Sequence, residues 1–250
     1  MSNLSVFGDT RTHVGARHAL TAPDGHVPSV LPGIENAICI VLISPQMGAR
    51  FTQLLLRFSS KGIADLPGDD AETFAFVLSG AVSLEINREV HRLQTGNYFF
   101  LPAGQSSRLV GAAEGTTLTF FFKRYSVLAG IASPGIILGD TSQVDGQPYL
   151  GDENALLQIL LPPELSFDMA VNIFNYQPGA HLPFVETHIM EHGLLMLEGK
   201  GVYRLEDSWY PVAEGDCIWM AAYCPQWFVA MGKTRASYLY YKDVNRPAFA

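Results

Sequence analysis

Short hydrophobic runs follow one another along most of this chain, each rich in aromatic and β-branched residues and each ended by turn residues. In the first half, these runs cover residues 51–58, 73–80, 82–86, 97–104 and 116–125. Runs of this kind at a spacing of about 8–12 residues are typical of an all-β sandwich or barrel. The same pattern returns from about residue 168, so the chain is predicted to be all-β.

The two hydrophobic halves are related by one constant offset. Four pairs of identical residues lie 119 positions apart without a gap: Gly80 and Gly199, Gly96 and Gly215, Lys123 and Lys242, and Glu72 and Glu191. Self-similarity at a fixed spacing indicates a repeated structural unit. We therefore predict two copies of one β module, the second following the first along the chain.

The composition of the remaining segments sets the predicted domain boundaries. Residues 1–47 are rich in Pro and Gly and are predicted to form an N-terminal extension that packs on the barrels. The first module is predicted over 48–126 and the second over 168–250. Between them, residues 127–167 carry the turn sequences SPG, LGD and DGQP, which predict a connecting segment.

The charge of the chain excludes several classes of function. Only 16% of the residues are charged, and the formal net charge is −8. Nucleic-acid binding is not expected, because phosphate contacts need clustered Lys and Arg and the chain has no basic run. No apolar run approaches the ~18 residues that a membrane span requires, so no membrane partner is expected. So few charges indicate that much surface is covered, and we predict a homo-oligomer.

The cysteines and the N-terminal sequence indicate a location. Cys39, Cys217 and Cys224 make an odd count without CxxC spacing, which does not predict a disulfide framework. The first 20 residues have no apolar segment of the kind that directs secretion. Both observations predict a cytoplasmic protein.

Three potential metal ligands lie within seven residues of the second copy: Glu186, His188 and His192. On a strand, positions i and i+2 point to the same face, so Glu186 and His188 are predicted to project together. His192 has the same parity and joins them if the strand bends near Glu191. Two imidazoles and one carboxylate with open positions form a known transition-metal arrangement. The cluster therefore predicts a divalent metal site in the second module.

Two other interpretations of this cluster are open. Residues 188–192 match the inverted zinc-protease pattern H-x-x-E-H, which needs a helix. Pro183 and Gly193 flank the segment and disfavour a helix of about 10–12 residues. The histidines could also be ordinary polar residues at a strand end. At the offset of 119, the first copy has Pro67, Asp69 and Thr73 in these places, so the first module is predicted to be metal-free.

The residues of both copies resemble the motifs of the cupin superfamily. Its second motif, G-x5-P-x-G-x2-H-x3-N, fits the first copy over 96–104, with Ser107 at the position of the metal-binding His. In the second copy, Gly215 begins this motif and Gln226 occupies the His position. The resemblance implies two tandem cupin (jelly-roll) β-barrels, a bicupin.

The first cupin motif, G-x5-H-x-H-x3,4-E-x6-G, completes the ligand set that the resemblance implies. In the second copy, Glu186 stands in place of the first His, His188 keeps its position, and His192 replaces the Glu. The implied metal ligands are therefore Glu186, His188, His192 and Gln226. This set departs from the common set of three His and one Glu at three of its four positions.

One family is similar to this chain in having this unusual set of implied metal ligands. The segments ETHIMEHG (186–193) and YYKDVNR (240–246), together with most of the chain, are similar to the (S)-ureidoglycine aminohydrolase family. The resemblance implies a manganese-dependent hydrolase that converts (S)-ureidoglycine and water into (S)-ureidoglycolate and ammonia in allantoin degradation, a part of purine catabolism. It also implies that Glu186, Gln226, Tyr238, Lys242 and Tyr203 contact this small-molecule substrate.

The roles of two of these residues follow from the chemistry of that reaction. The substrate carbon carries a carboxylate, an amine and a ureido group, so the site needs a cation for the carboxylate and a group that transfers protons. We expect Lys242 and Glu186 to be the catalytic pair, with Lys242 holding the carboxylate or moving a proton and Glu186 in acid–base transfer. Two alternatives stay open: a non-haem iron oxygenase on the same scaffold, and a non-catalytic bicupin that binds a small molecule.

Overall fold

The computed structural model describes residues 9–66 and 68–246 and consists almost wholly of β-strands. Pro67, the predicted counterpart of Glu186, lies outside the described residues. The helices of the described chain are short 3₁₀ turns at Pro23–Gly25, Pro45–Met47 and Thr141–Gln143. No helix in these residues is long and apolar enough to cross a membrane. The prediction of an all-β fold is confirmed.

The strands fall into four stretches of the chain. Before the first module lie β1 (His13–Val14), β2 (His18–Thr21) and β3 (Ile34–Ile43). The first module contains β4 (Thr52–Leu66), β5 (Ala71–Ser79), β6 (Ala81–Ile86), β7 (Glu89–Gln94), β8 (Asn97–Leu101), β9 (Ser107–Ala112) and β10 (Thr117–Arg124). The middle of the chain contains β11 (Ile137–Asp140), β12 (Gln147–Tyr149) and β13 (Asp152–Ile159). The second module contains β14 (Met169–Tyr176), β15 (His192–Glu198), β16 (Lys200–Leu205), β17 (Ser208–Ala213), β18 (Cys217–Met220), β19 (Gln226–Ala230) and β20 (Ala236–Asp243).

Each module closes its own curled sheet. The first has the strand order β11-β8-β5-β10-β4-β9-β6-β7, with β3 added beside β4. The second combines the order β1-β2-β18-β15-β20-β14-β13-β12 with a three-stranded sheet of order β17-β16-β19. The prediction of two tandem cupin barrels is confirmed by these sheets.

The two modules exchange strands: a strand that precedes each module in the chain pairs with the other module. β2 precedes the first module but pairs with β18 of the second, with His18 opposite Met220 and Thr21 opposite Cys217. β11 follows the first module and pairs with its β8, with Ile137 opposite Phe100. His18 and Ile137 begin β2 and β11, and they lie 119 positions apart. The repeat therefore also includes β2, from the predicted N-terminal extension, and β11, from the predicted connecting segment.

Other strands outside the predicted module boundaries also belong to the sheets of the modules. β3 lies within the predicted extension 1–47 and forms a long pairing with β4 of the first module. β12 and β13 lie within the predicted connecting segment 127–167 and complete the sheet of the second module. Turn residues and half-exposed positions interrupt the alternation in these segments, so their strands were not predicted from the sequence.

The hydrophobic core has three parts. One fills the first barrel around Phe99 and Phe120, and a second fills the second barrel around Phe228. The third lies between the barrels, where Phe51 of the first module stacks on Tyr241 of the second with ring centroids 4.1 Å apart. Full burial of such a side chain contributes about 1.5–3 kcal/mol, so this apolar interface holds the two modules together.

Candidate metal and substrate site

A cavity of about 180 Å³ opens inside the second barrel. Every side chain predicted from the sequence to bind metal or substrate lines it: Glu186, His188, Tyr203, His192, Gln226, Tyr238 and Lys242. These residues come from β15, β16, β19, β20 and the loop before β15, so the closed sheet brings them to one place.

Polar atoms converge on the imidazole of His188. Its Nε2 lies 3.3 Å from Nε2 of His192 and 3.2 Å from Nε2 of Gln226. Oε2 of Glu186 lies 3.8 Å from the same atom. The four predicted ligands are therefore neighbours in space, although Gln226 is 34 positions after His192 in the chain.

The backbone explains how Glu186 and Gln226 come to face each other. The N–H of Glu186 donates to the carbonyl of Gln226 at 2.8 Å, and the N–H of Gln226 donates to the carbonyl of Glu186 at 3.0 Å. This is an isolated bridge rather than a continuous strand, so Glu186 and His188 do not share the regular strand that the sequence predicted. His192 is the first residue of β15.

The helical zinc-protease alternative does not fit the structure. Residues 186–191 contain no helix, and Glu191 of the H-x-x-E-H pattern does not reach the cavity. Its carboxylate accepts hydrogen bonds from the backbone and side chain of Arg50, which belongs to the first module.

Burial and neighbouring charges shape the ionisation of the ligands. Burial, with the charges of His188 and Lys242, lowers the pKa of His192 well below its ordinary value, so this imidazole is neutral. Burial acts to raise the pKa of Glu186, but His188 and the hydrogen bond from Tyr149 outweigh it and lower that pKa. A neutral imidazole and an ionised carboxylate are the forms that bind metal ions.

The donor set fits a divalent cation in its chemistry. Two imidazoles, one carboxylate and one carboxamide supply nitrogen and oxygen ligands, which suit manganese among other metals. Within residues 9–66 and 68–246, no three His, Cys, Asp or Glu side chains are already arranged as a metal site. Gln226 turns its Nε2 toward His188, while Tyr203 donates to its Oε1 across 3.4 Å. A half-turn of the carboxamide would direct that oxygen at the other ligands.

The last strand presents one face to the cavity, as its alternation predicts. Tyr238 and Tyr240 are buried. The hydroxyl of Tyr238 is hydrogen-bonded to the hydroxyl of Tyr176 at 3.0 Å, and the hydroxyl of Tyr240 accepts a hydrogen bond from the amide of Asn172 at 3.1 Å. Lys242 follows them on the same face. Burial lowers the pKa of this lysine, and the charge of Glu186 opposes that effect.

No acidic partner neutralises Lys242 at close range. In the described part of the chain, no carboxylate lies within 4.0 Å of its ammonium. A partly buried cation without a close counter-ion is costly. An anionic ligand in this cavity would remove that cost.

Tyr149 is a cavity residue that the sequence did not indicate. Its hydroxyl donates to Oε1 of Glu186 at 2.8 Å, and its ring packs edge-on against Phe174 with centroids 4.9 Å apart. It ends β12, in the predicted connecting segment. At the offset of 119 it corresponds to Val30, so the repeat carries no signal for it.

The first module offers no matching set. Asp69 is exposed and accepts a hydrogen bond from the backbone of Ala71, and Thr73 is buried in β5. Ser107, at the position of the motif histidine, has a buried hydroxyl without a hydrogen-bond partner in the described chain. These side chains do not supply the imidazole and carboxylate ligands present in the second module.

A larger cleft, of about 820 Å³, lies between the modules and contains none of the predicted site residues. Strand residues of both copies line it, both apolar ones, such as Phe76 and its repeat counterpart Leu195, and charged ones, such as Arg57 and Glu198. Cavity size therefore does not identify the candidate site. The smaller cavity is the candidate because the predicted metal-binding and substrate-binding residues line it.

Comparisons with known proteins point in the same direction as this geometry. The family described as Cupin domain matches residues 172–241, which lie within the second module. The chain is 43% identical over 242 residues to a protein of Oryza sativa subsp. japonica named "Probable (S)-ureidoglycine aminohydrolase", covering 96% of this chain and 77% of that one. It is 37% identical over 232 residues to the (S)-ureidoglycine aminohydrolase of Escherichia coli (strain K12), covering 91% and 88%.

A solved structure extends the likeness to three dimensions. The crystal structure of protein Ylba from E. coli superimposes with a TM-score of 0.86 at 33% identity, covering 98% of both chains. The similarity therefore includes both modules and the strands they exchange.

Proposed function

This chain belongs to the (S)-ureidoglycine aminohydrolase family within the cupin superfamily, and we propose that it hydrolyses (S)-ureidoglycine with a manganese ion held by its second module. As an enzyme of this family it acts on ureidoglycine and releases ammonia. The products, the metal and the residue roles below are the finer parts of the proposal.

One observation carries the choice of site. The family's substrate is a small carboxylate, and the only lysine lining the cavity is Lys242, whose ammonium has no close carboxylate among the described residues. We assign the metal to Glu186, His188, His192 and Gln226, whose polar atoms meet around His188. When bound, a divalent ion would act as a Lewis acid toward donor atoms on the reacting carbon.

Lys242 is proposed to anchor the substrate carboxylate. Its position near the end of β20 places its charge at the cavity wall, with Tyr240 and Tyr238 two and four residues earlier on the same face. An ion pair in a partly closed cavity is less screened than one at the surface, so this contact would fix the orientation of the substrate.

Glu186 is proposed to move the protons. Hydrolysis breaks the bond from carbon to the amine nitrogen and forms a bond from carbon to the water oxygen. One proton of the water must reach the leaving amine, which departs as ammonia. Glu186 would accept that proton and pass it to the amine nitrogen. Its Oε2 faces the other assigned ligands, so Oε1, which already accepts the Tyr149 hydrogen bond, is the oxygen that would carry the proton.

The proposal is tested by ammonia release from freshly prepared (S)-ureidoglycine, using protein stripped of metal by a chelator. We expect little turnover until Mn²⁺ is added. Ammonia release that no divalent metal stimulates would contradict the metal part of the proposal. Oxygen consumption with iron, and none with manganese, would instead favour the non-haem iron oxygenase.

Membership of an enzyme family argues against the non-catalytic alternative. The homo-oligomer and the cytoplasmic location stay predictions. Light scattering that gives a monomer of 27.4 kDa would contradict the predicted homo-oligomer.

A further inference from the structure

The strands that carry His192 and Lys242 have a second face, which points away from the cavity. His192 and Lys242 are direct cross-strand partners in β15 and β20. Successive side chains on a strand alternate between faces, so their chain neighbours Glu191, Gly193, Tyr241 and Asp243 face the opposite way. That outer face is covered by the first module, through Arg50 and Phe51.

Arg50 joins the two strands next to the candidate ligands. Its backbone N–H and its Nε both donate to Oε1 of Glu191 at 3.0 Å. Its guanidinium also donates to Oδ2 of Asp243 at 2.9 Å. The other oxygen of Asp243 accepts the backbone N–H of Glu191 at 2.6 Å, which closes the connection. One side chain therefore fixes the residue before His192 and the residue after Lys242.

Phe51 occupies the space beside them. A Cβ added to Gly193 would lie 2.5 Å from the Phe51 ring, so the glycine lets that ring approach the backbone directly after His192. The same ring stacks on Tyr241, which directly precedes Lys242, with centroids 4.1 Å apart. Arg50 and Phe51 thus contact both chain neighbours of His192 and both chain neighbours of Lys242.

The repeat shows that this arrangement is particular to the second module. The counterpart of Arg50 is Met169, which has no group that donates a strong hydrogen bond. The counterpart of Glu191 is Glu72, which lies beside the buried ion pair of Lys123 with Asp168 and accepts no hydrogen bond from an arginine of the described chain. Among the described residues, an arginine that hydrogen-bonds to this glutamate is therefore found behind the strands of the candidate metal site and not at the equivalent place in the first module.

We propose that Arg50 and Phe51 of the metal-free first module are positioning residues for His192 and Lys242 of the second. The first module then has a role in the reaction without touching substrate or metal: it sets the spacing and direction of one ligand and one substrate-binding cation. This inference rests on the proposed function of that pair. Partners outside the ligand shell commonly change metal affinity by about 10–100-fold when they are removed.

The test compares Arg50→Met and Arg50→Lys with wild-type protein and with Arg108→Met. Arg108 forms an ion pair with Asp65 at 3.0 Å and has a similarly exposed side chain, but it lies in the first barrel, away from this interface. Mn²⁺ affinity is measured by electron paramagnetic resonance on metal-free full-length protein. The visible absorption of added Co²⁺ reports the ligand geometry, and thermal unfolding reports stability.

We expect Arg50→Met to weaken Mn²⁺ binding about tenfold and to alter the Co²⁺ spectrum. Arg50→Lys should recover part of both, since its charge stays but its fork of donors is lost. Arg108→Met should match wild type. If Arg50→Met does not fold, Arg50→Lys alone decides by the same two measurements.

Wild-type Mn²⁺ affinity and Co²⁺ spectra in a folded Arg50 variant would overturn the inference. An equal change in Arg108→Met would also overturn it, because the effect would then be general. Absence of Mn²⁺ binding to wild type would instead contradict the proposed function.

Discussion

The hydroxyl of Tyr149 donates a hydrogen bond to Oε1 of Glu186 at 2.8 Å, and so connects the end of β12 with the first predicted metal ligand, 37 residues later. This contact leaves Oε2 as the carboxylate oxygen that faces His188. A carboxylate with one oxygen held by a neutral donor keeps a single orientation, which both metal binding and proton transfer need.

Replacement of Tyr149 by Phe should therefore weaken Mn²⁺ binding about tenfold, because such outer partners orient the ligands. Stability should fall by only about 1 kcal/mol, the usual net value of one hydrogen bond. Metal titration and thermal unfolding measure the two effects. Tyr125→Phe is the control, since its hydroxyl donates to Ser166 far from the cavity. Equal Mn²⁺ affinity in both variants would show that Tyr149 does not orient Glu186.

Replacement of Lys242 by Met should raise KM for (S)-ureidoglycine while Mn²⁺ affinity changes little. The loss of a partly buried ion pair with a carboxylate costs about 3 kcal/mol, so a loss of about 100-fold in kcat/KM is expected. Steady-state ammonia release gives the parameters. The exposed Lys200 provides the control variant Lys200→Met. Unchanged kcat/KM in Lys242→Met would exclude the anchoring role.

Replacement of His188 or Gln226 by Ala should lower the amount of bound manganese. His188 lies at the centre of the cluster, so its loss should have the larger effect. Metal content after dialysis against a fixed Mn²⁺ concentration measures it. His91, which is half-buried beside Glu89 in the first barrel, gives the control His91→Ala. Full occupancy in the His188 variant would mean that the ligand set is wrong.

Glu72 should make the stability of the protein fall as the pH rises. Burial, with Asp168 beside it, raises the pKa of Glu72 to about 10, whereas the unfolded chain has an ordinary carboxyl group. A folded pKa above the unfolded value gives stability that is complete below the unfolded pKa and is lost as the pH rises toward 10. The loss is at most about 1.4 kcal/mol for each pH unit.

The variant Glu72→Gln is neutral in both states and should lose this slope. Its Tm should therefore decrease less than that of wild type between pH 6 and pH 9, measured by circular dichroism. Glu198→Gln, at an exposed ion pair with Arg235, should keep the wild-type slope. Parallel curves for wild type and Glu72→Gln would contradict the prediction.

Replacement of Gly193 by Ala should destabilise the interface between the modules. The added Cβ would meet the ring of Phe51 at 2.5 Å and the side chain of Gln53 at 2.9 Å. Overpacking of this kind costs about 1–3 kcal/mol, which unfolding in denaturant would detect. Gly135→Ala is the matched control, because no atom lies within 4 Å of its added Cβ. A Gly193 variant as stable as the control would show that the interface yields easily.

Much of the fold was predictable because strand alternation is a local property. The runs at 51–58 and 97–104 have aromatic and aliphatic residues at the spacing of buried strands, and β4 and β8 include most of them. The constant offset of 119 then predicted two modules. The strands β3 and β13 were harder to predict, because half-exposed strands with nearby turns show only a weak alternation of apolar and polar residues.

The candidate ligands were equally open to prediction, since their residue types and short spacings stand in the sequence. Glu186, His188 and His192 lie within seven residues, and Gln226 follows from the resemblance to a known motif. The sequence by itself thus determined the strand pattern, the duplication and the residue types that line the candidate site, whose binding of a metal stays a prediction.

Only the tertiary structure decided what supports those donors. Tyr149 reaches Glu186, and Arg50 reaches Glu191 and Asp243, because sheet pairing and the packing of two barrels bring distant segments together. No local pattern marks such contacts: each partner alone is an ordinary tyrosine or arginine in a turn-rich stretch. Side-chain alternation specifies which face of the sheet a residue lies on. Its partner on that face, as for Arg50 and Glu191 at 141 positions apart, depends on how the two barrels pack.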